Sequence, residues 1–178
     1  LCRSPDREVG PTPSEKVHSA FAGSSLKLGV LVYIEDTGRV LMIHREKADE
    51  HRGLYLAPGG KLEANEAPIE AAIREADEET GLQIHRPELK AVLTFPDMGD
   101  SPFGDEWHVY VFHVVKFSGT LRDDCSEGEL EWVPRDKLLD LPIWEGDRLF
   151  TPKIFEPGCF TAKFLYRGSD LQDYAFWK

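Results

Sequence analysis

The sequence predicts a single domain of the α+β or α/β type, in which a mixed sheet and a few helices form a sandwich. Three observations predict this fold class. The chain has 178 residues, of which 41% are hydrophobic and 30% are charged, as is typical of a globular domain with one core. Segments with strand character outnumber the helical segments. The strands and helices do not alternate regularly, which argues against a doubly wound parallel sheet.

The first part of the chain divides into an arm and the start of the sheet. Residues 1–25 contain several prolines and few apolar residues, so we expect an extended or partly ordered arm. The domain is assigned to residues 26–178. Residues 26–34 and 40–44 are rich in apolar and β-branched residues, and the sequence Asp-Thr-Gly between them predicts a β-hairpin. Residues 53–60 predict a short strand that ends in a Pro-Gly-Gly turn.

The clearest helix is predicted over residues 66–80. Its apolar residues recur at the spacing of one helix face, and Gly81 follows as a residue that can end a helix in the left-handed conformation. The residues expected to face the core are Ile69, Ala72, Ile73 and Ala76. A second helix is predicted within residues 142–155. The remaining strands are predicted at residues 83–95, 106–117, 130–133 and 160–166.

The charge balance argues against two classes of partner. The chain has 21 basic and 32 acidic residues, a net charge of −11, whereas nucleic acids and anionic membranes select for positive charge. A phosphorylated small molecule is compatible with this charge if a metal ion accompanies it. The number and spacing of the three cysteines predict neither a disulfide framework nor a thiolate zinc site. The apolar runs are shorter than a membrane span, and no secretory signal segment opens the chain, so the expected location is the cytoplasm.

Acidic residues are concentrated on the predicted helix and just before it. Residues 63–79 contain seven acidic residues and a single arginine. At about 100° per residue, Glu75, Glu78 and Glu79 fall on one helix face, where they repel one another unless a cation lies between them. Carboxylate oxygens of this kind suit Mg²⁺ or Mn²⁺. A merely solvated acidic helix is the alternative. The preceding pair Gly59-Gly60, whose backbone can approach a ligand closely, favours a metal site.

The segment from residue 60 to residue 82 resembles the Nudix box, G-x5-E-x7-R-E-U-x-E-E-x-G-U, in which U is a bulky apolar residue. The fixed positions are filled by Gly60, Glu66, Arg74, Glu75, Glu78, Glu79, Gly81 and Leu82. One departure is Ala76, at a position where a larger aliphatic residue is usual. On this pattern the chain is identified as a member of the Nudix hydrolase family.

The resemblance implies an α/β/α sandwich with a mixed sheet, in which the box forms a loop–helix–loop catalytic motif. It implies hydrolysis of a nucleoside diphosphate linked to another group, with Mg²⁺, or alternatively Mn²⁺, as cofactor. Carried over by position, the metal ligands are the carboxylates of Glu75, Glu78 and Glu79 and the carbonyl of Gly59. Glu78 and Glu79 are also candidates for catalytic residues. The other charged box residues, Glu66 and Arg74, are implied to hold the shape of the motif.

Further candidates lie outside the box. Residues 123–133 form the only other dense acidic segment and contain the sequence EGELEWV, which is similar to one branch of the family. We therefore expect Glu127 to act as a catalytic residue and metal ligand, with a solvated loop acid as the alternative. Arg45 and Lys61 are candidates for contacts with the substrate phosphates, although many surface cations are simply solvated.

Several further segments resemble the MutT/MutX-type 8-oxo-dGTP diphosphatases of this family. They lie at residues 41–45, 94–97, 127–134, 143–150 and 160–171. This resemblance implies hydrolysis of oxidised purine nucleoside triphosphates to the monophosphate and pyrophosphate, which cleanses the nucleotide pool and serves DNA repair. It implies that Trp144 stacks on the base and that Asp147 binds the purine edge. One departure is Leu56, where many members carry an asparagine that reads the purine, so the purine is read elsewhere or the selectivity is weaker.

Two other functions stay open. An ADP-ribose or dinucleoside polyphosphate pyrophosphatase is one, because Pro96 lies at roughly the spacing past the box that is linked to ADP-ribose hydrolysis. A non-catalytic nucleotide-binding module of the same fold is the other. Such modules typically lose box carboxylates, and this chain keeps all of them. In each case the expected partner is a small nucleotide, and the protein is expected to be a monomer or a homodimer.

Overall fold

The computed structural model describes residues 7–9, for the backbone only, and residues 25–178. The elements in chain order are β1 (Arg7–Val9), β2 (Leu26–Asp36), β3 (Arg39–Arg45), β4 (Tyr55–Leu56), β5 (Gly59–Lys61), α1 (Pro68–Thr80), β6 (Leu82–Ile84), β7 (Glu88–Phe95), β8 (Glu106–Val114), β9 (Phe117–Gly119), β10 (Gly128–Pro134), a 3₁₀ helix (Arg135–Asp140), α2 (Glu145–Ile154), β11 (Phe160–Arg167) and β12 (Asp170–Trp177). Among the described residues, no helix is both long and apolar enough to cross a membrane.

Most of the strands form one mixed sheet. The order is β1-β12-β11-β7-β8-β2-β3-β10, and β4 and β5 pair with β3 and β2. β2 pairs in parallel with β8, and β11 pairs in parallel with β7, whereas the other pairs are antiparallel. One buried cluster joins α1 to one face of the sheet, and a second joins α2 to the other face. The prediction of an α/β/α sandwich with a mixed sheet is confirmed.

The two buried clusters follow from the alternation of side chains along each strand. In β2, Val30, Val32 and Ile34 belong to the cluster that includes the alanines of α1. Tyr33 of the same strand belongs to the cluster that includes Phe150 of α2. A strand that is apolar on both faces is therefore buried between two helices, which explains the uninterrupted apolar run in the sequence.

α1 packs against the sheet through small residues. Its buried residues are Ala71, Ala72, Ala76 and Thr80. Ile69 and Ile73 are 43% and 42% exposed, so the prediction that these two residues face the core is wrong. The alanines let the helix approach the sheet closely, and the larger isoleucines lie at the rim. Gly81 ends the helix with φ 75°, as predicted.

Other predicted boundaries differ from the structure. The strand predicted over residues 83–95 is interrupted before Pro87, where Arg86 adopts a positive φ of 52°. The strand predicted over residues 106–117 ends at Val114, and β9 pairs with β6 in a separate two-stranded sheet. β12 was not predicted. β1 pairs with β12, while residues 1–6 and 10–24 of the predicted arm lie outside the described residues. The division into residues 1–25 and 26–178 stays a prediction.

β2 and β3 diverge beyond the turn that joins them, and this divergence makes room for the site. The two strands pair with each other only next to their turn, at Glu35 with Val40 and at Asp36 with Arg39. Beyond that point β2 pairs with β5, and β3 pairs with β4. The strands therefore diverge, and a cavity of about 600 Å³ lies between them.

Candidate active site

The cavity collects most of the residues that the sequence singled out. Those that line it are Arg45, Gly59, Lys61, Glu75, Glu79, Glu127, Trp144 and Asp147. Glu78 is not among the lining residues. Its side chain is 58% exposed and lies 3.2 Å from Arg74, so its roles as ligand and catalytic residue stay predictions.

The Gly59-Gly60 pair lets the backbone approach both the sheet and α1. A Cβ atom added to Gly60 would lie 2.5 Å from Cδ of Glu75, and one added to Gly59 would lie 2.9 Å from the carbonyl carbon of Val30. Both distances are far below an ordinary carbon contact. The absence of side chains at these positions therefore allows the carboxylate of Glu75 to lie directly against β5.

Arg74 ties the loop before α1 to the helix. Its Nε donates a hydrogen bond to Glu66 Oε1 at 2.8 Å, and its Nη1 donates to Glu75 Oε1 at 2.9 Å. Nη2 donates to the carbonyl oxygen of Lys61 at 3.0 Å. The other oxygen of Glu66 accepts the backbone N–H of Glu63 at 2.8 Å. These contacts support the shape-holding role that the resemblance implies for Arg74 and Glu66.

Glu79 is the deepest carboxylate of the acidic helix face. Its Oε2 accepts the backbone N–H of Gly59 at 2.8 Å. Burial, together with the negative charges of Glu75 and Glu127, raises the pKa of Glu79 to about 8, against the Gly59 hydrogen bond and the charge of Arg45. The pKa of Glu75 is also raised, chiefly by burial and in opposition to Arg74. Burial and mutual repulsion at this end of the cavity therefore outweigh the neighbouring positive charge in raising the pKa of both carboxyl groups.

The donor set at this end fits a hard divalent cation. Glu75, Glu79 and Glu127 all line the cavity, and carboxylate oxygens are the ligands that Mg²⁺ prefers. A cation would relieve the like-charge repulsion that raises the pKa of Glu79. Within residues 25–178, no three acidic, histidine or cysteine side chains already stand in the arrangement of a metal site, and two of these carboxylates are paired with arginine.

Glu127 lies in a small network of charges. It accepts hydrogen bonds from Lys47 Nζ at 3.0 Å and forms an ion pair with Arg45. Arg45 Nη2 also donates to Asp49 Oδ2 at 2.6 Å. Lys61 lies with its ammonium 5.5 Å from the centre of the Trp107 ring. Arg45 and Lys61 both border the cavity, and their contacts with phosphate stay predictions.

Aromatic side chains also line the cavity, and we call the part formed by Trp144, Phe103, His51 and the neighbouring Asp147 its aromatic end. Trp144 directly precedes α2, and its ring meets that of Phe103 edge-on, with 5.3 Å between the centres. Phe103 and Trp107, from the segment around the start of β8, and His51, from the loop after β3, also line the cavity. The sequence reasoning missed these three residues as site residues. The aromatic pair in the sequence FGDEW was a signal that could have found Phe103 and Trp107.

Asp147 lies on the first turn of α2 and borders the same end of the cavity. Burial raises the pKa of its carboxyl group to about 7. None of the described residues donates a hydrogen bond to this carboxyl group, while Leu56 adds an apolar wall. Asp147 is partly exposed in the free protein, so a ligand that fills this end of the cavity would bury the carboxyl group and would have to hydrogen-bond it, because a buried carboxyl group without a partner is costly.

Comparisons with known proteins agree with this geometry. A sequence model of the NUDIX domain matches residues 25–154, most of the chain. The chain belongs to the Nudix family. The uncharacterised Nudix hydrolase YvcI of Bacillus subtilis is 32% identical over 114 residues, which are 64% of this chain and 70% of that protein. The oxidized purine nucleoside triphosphate hydrolase of Danio rerio is 28% identical over 145 residues, 82% of this chain and 90% of that protein.

Two further proteins resemble this Nudix hydrolase. A putative 8-oxo-dGTP diphosphatase 3 of Mycobacterium tuberculosis is 31% identical over 115 residues, and the match covers 63% of this chain but only 52% of that protein. The crystal structure of the mutator MutT protein of Bacillus halodurans has a TM-score of 0.75 at 28% identity and covers 84% of this chain and 97% of that one. The predicted family, its MutT-type branch and hydrolase activity are confirmed. Nudix hydrolases act on small nucleotides and generally use divalent metal ions.

Proposed function

We propose that this Nudix hydrolase cleaves purine nucleoside triphosphates, including oxidised ones such as 8-oxo-dGTP, to the monophosphate and pyrophosphate, with Mg²⁺ or Mn²⁺ as cofactor. The observation that carries this proposal is the cavity itself. Its acidic end holds Glu75, Glu79 and Glu127, and its aromatic end holds Trp144 and Asp147. A metal-bound polyphosphate suits the first end and a purine suits the second. The resulting role is sanitation of the nucleotide pool.

At the acidic end, the proposed metal ligands are Gly59 through its carbonyl, Glu75, Glu79 and Glu127, with Glu78 at the rim for a second ion. Mg²⁺, when bound, supplies positive charge to the phosphates and lowers the pKa of an attacking water. Arg45 adds positive charge beside Glu127, and Lys61 lies at the cavity wall. Phosphates that attract Arg45 would remove one of the two ion pairs of Glu127 and leave the one with Lys47, and Glu127 would then be placed to accept a proton from the attacking water.

At the aromatic end, Trp144 provides the stacking surface and Asp147 the hydrogen bonds. Stacking on an aromatic side chain contributes about 1–3 kcal/mol for any base. Discrimination needs hydrogen bonds, and an ionised carboxyl group can accept from N1–H and N2–H of guanine or its 8-oxo form. Substrates without these donors leave the buried group of Asp147 unpaired, which disfavours them. Leu56 makes no side-chain hydrogen bond, so in this proposal the purine is read by Asp147.

A nucleotide panel tests the proposal. The purified protein is incubated with 8-oxo-dGTP, dGTP, dCTP, ADP-ribose and diadenosine polyphosphates, each with Mg²⁺, Mn²⁺ or a chelator, and the products are identified by chromatography. We expect the purine triphosphates to give monophosphate and pyrophosphate with the highest kcat/KM, and the chelator to stop the reaction. The variant Glu79→Gln controls for contaminating phosphatases. A preference for ADP-ribose or a dinucleoside polyphosphate would replace the proposed substrate with that alternative.

Hydrolysis in ¹⁸O-labelled water identifies the phosphorus atom that the water attacks. Label in the monophosphate shows attack at the α-phosphorus, and label in the pyrophosphate shows attack at the β-phosphorus. The expected cytoplasmic location and the choice between a monomer and a homodimer stay predictions.

A further inference from the structure

His51 occupies a position between the two ends of the cavity. It lies in the loop between β3 and β4, outside the Nudix box, and borders the cavity. Its Nδ1 lies 2.8 Å from the indole Nε1 of Trp144. Its ring stacks on Phe103 with 5.9 Å between the centres and meets Trp144 edge-on. His51 therefore contacts two of the rings at the aromatic end, those of Phe103 and Trp144.

The contact with Trp144 defines the protonation state of His51. An indole N–H can only donate, so Nδ1 of His51 must accept, and a neutral imidazole then carries its proton on Nε2. Burial lowers the pKa of His51, against the negative charges of Glu50 and Asp49, and this favours the neutral ring. A charged imidazole would present N–H groups on both nitrogens and would lose the bond to Trp144.

The backbone of His51 is anchored to the charged network at the acidic end. Its N–H donates to Asp49 Oδ1 at 3.0 Å. The other oxygen of Asp49 accepts from Arg45, which pairs with Glu127. The loop from β3 thus fixes His51 relative to Glu127, and the side chain of His51 in turn contacts Trp144.

From these contacts we propose that His51 is a positioning residue for the base. It accepts the indole N–H of Trp144 and so holds the indole ring in the orientation that borders the cavity. The inference rests on the proposed function for the identity of the ligand, but the hydrogen bond itself can be tested without substrate.

Two substitutions distinguish the hydrogen-bond acceptor of His51 from its aromatic ring. His51→Phe keeps an aromatic ring beside Phe103 and removes the acceptor, while His51→Asn keeps a side-chain oxygen close to the position of Nδ1 and removes the ring. We expect His51→Phe to raise KM for a purine triphosphate about three- to tenfold, the usual effect of one lost hydrogen bond, with kcat within about twofold. We expect His51→Asn to keep KM within about twofold. His85→Phe, the same change at an exposed histidine that does not line the cavity, should be silent.

A double-variant cycle identifies Trp144 as the partner. In a Trp144→Phe background, which lacks the indole donor, His51→Phe should cause no further rise in KM. An unchanged KM in the single variant, equal losses for the phenylalanine and asparagine variants, or an undiminished effect of His51→Phe in the Trp144→Phe background would each overturn the proposal. Circular dichroism confirms that every variant is folded.

A spectroscopic measurement tests the hydrogen bond independently of catalysis. In ¹⁵N NMR spectra of the full chain, His51 should show an unprotonated Nδ1 and a protonated Nε2, and the Trp144 indole proton should shift upfield in His51→Phe. The opposite tautomer would refute the proposal whatever the substrate is. If the tautomer is as expected but no nucleotide is hydrolysed, the proposed function fails and the hydrogen bond stands.

Discussion

The substitution Gly60→Ala separates catalysis from stability at the point where β5 meets α1. The added Cβ would lie 2.5 Å from Cδ and 2.8 Å from Oε2 of Glu75. Carbon contacts are favourable at about 3.5–4.0 Å, so the carboxyl group has to withdraw by about 1 Å. Because this group ends a flexible side chain, we expect a loss of stability of no more than about 1 kcal/mol. A shift of about 1 Å in a positioned group can cost about 10²-fold in rate.

The neighbouring substitution Gly59→Ala is the matched contrast. Its Cβ would lie 2.9 Å from the carbonyl carbon of Val30 and 3.0 Å from Cα of Leu31, and both atoms belong to the backbone of a central strand. The strand cannot withdraw as a side chain can, so we expect a destabilisation of about 2–3 kcal/mol. For a chain of this length that corresponds to a decrease in Tm of roughly 4–12 °C.

The assays are kcat with saturating Mg²⁺ and Tm by circular dichroism. We expect Gly60→Ala to retain a Tm within a few degrees of the wild type while its kcat decreases about 10²-fold. For Gly59→Ala we expect the decrease in Tm given above. If Gly60→Ala keeps kcat within about threefold while Glu75→Gln is inactive, the position of Glu75 against β5 does not matter for catalysis, and the reasoning is refuted.

Three further predictions concern the ends of the cavity. Glu79→Gln should lower kcat at least ~10²-fold. Because the pKa of Glu79 is raised to about 8, the metal-free wild type should lose about a few kcal/mol of stability in denaturant titrations as the pH rises from about 5 to 8. The Glu79→Gln variant should lose less over the same range, since only the raised pKa values of Glu75 and Asp147 still act there; parallel curves would contradict the burial argument. Glu127→Gln should lower kcat less than Glu79→Gln does, and Glu129→Gln should leave kcat unchanged. A loss of kcat in Glu129→Gln without a loss in Glu127→Gln would assign the catalytic role to Glu129. Asp147→Ala should raise KM for guanine triphosphates more than for dCTP with kcat little changed, whereas Trp144→Ala should weaken both; equal effects of Asp147→Ala would exclude base reading.

The sequence predicted best the contacts that are local in the chain. The Nudix box places Arg74 eight residues after Glu66 and directly before Glu75, and the hydrogen bonds among these three residues follow from one helix and the loop before it. The spacing therefore determines the arrangement of these three side chains, whereas Glu127 reaches the acidic end through the pairing of β10 with β3. How closely α1 approaches the sheet is not encoded in the spacing, so the exposure of Ile69 and Ile73 was not predicted.

The aromatic end could not be predicted because it depends on strand order. Phe103 and Trp107 reach the cavity only because β8 lies beside β2 in the sheet, and His51 reaches it only because β3 diverges from β2. Neither fact follows from periodicity in a single sequence. Trp144 and Asp147 were found through resemblance rather than through local pattern. The short pairing between β2 and β3 thus determines which residues from distant loops meet.

The acidic end of the cavity is suited to a cation and the aromatic end to hydrogen-bond donors, and a nucleotide with a divalent cation supplies both. The pKa of Glu79 is raised by burial and by two neighbouring carboxylates. A cation offsets the repulsion among these negative charges. The pKa of Asp147 is raised by burial alone. Hydrogen-bond donors on a ligand compensate the carboxyl group for this loss of water. A cation without a base leaves Asp147 unpaired, and a nucleoside without a cation leaves the carboxylates repelling one another. We therefore expect metal ion and nucleotide to bind this Nudix hydrolase more tightly together than either binds alone.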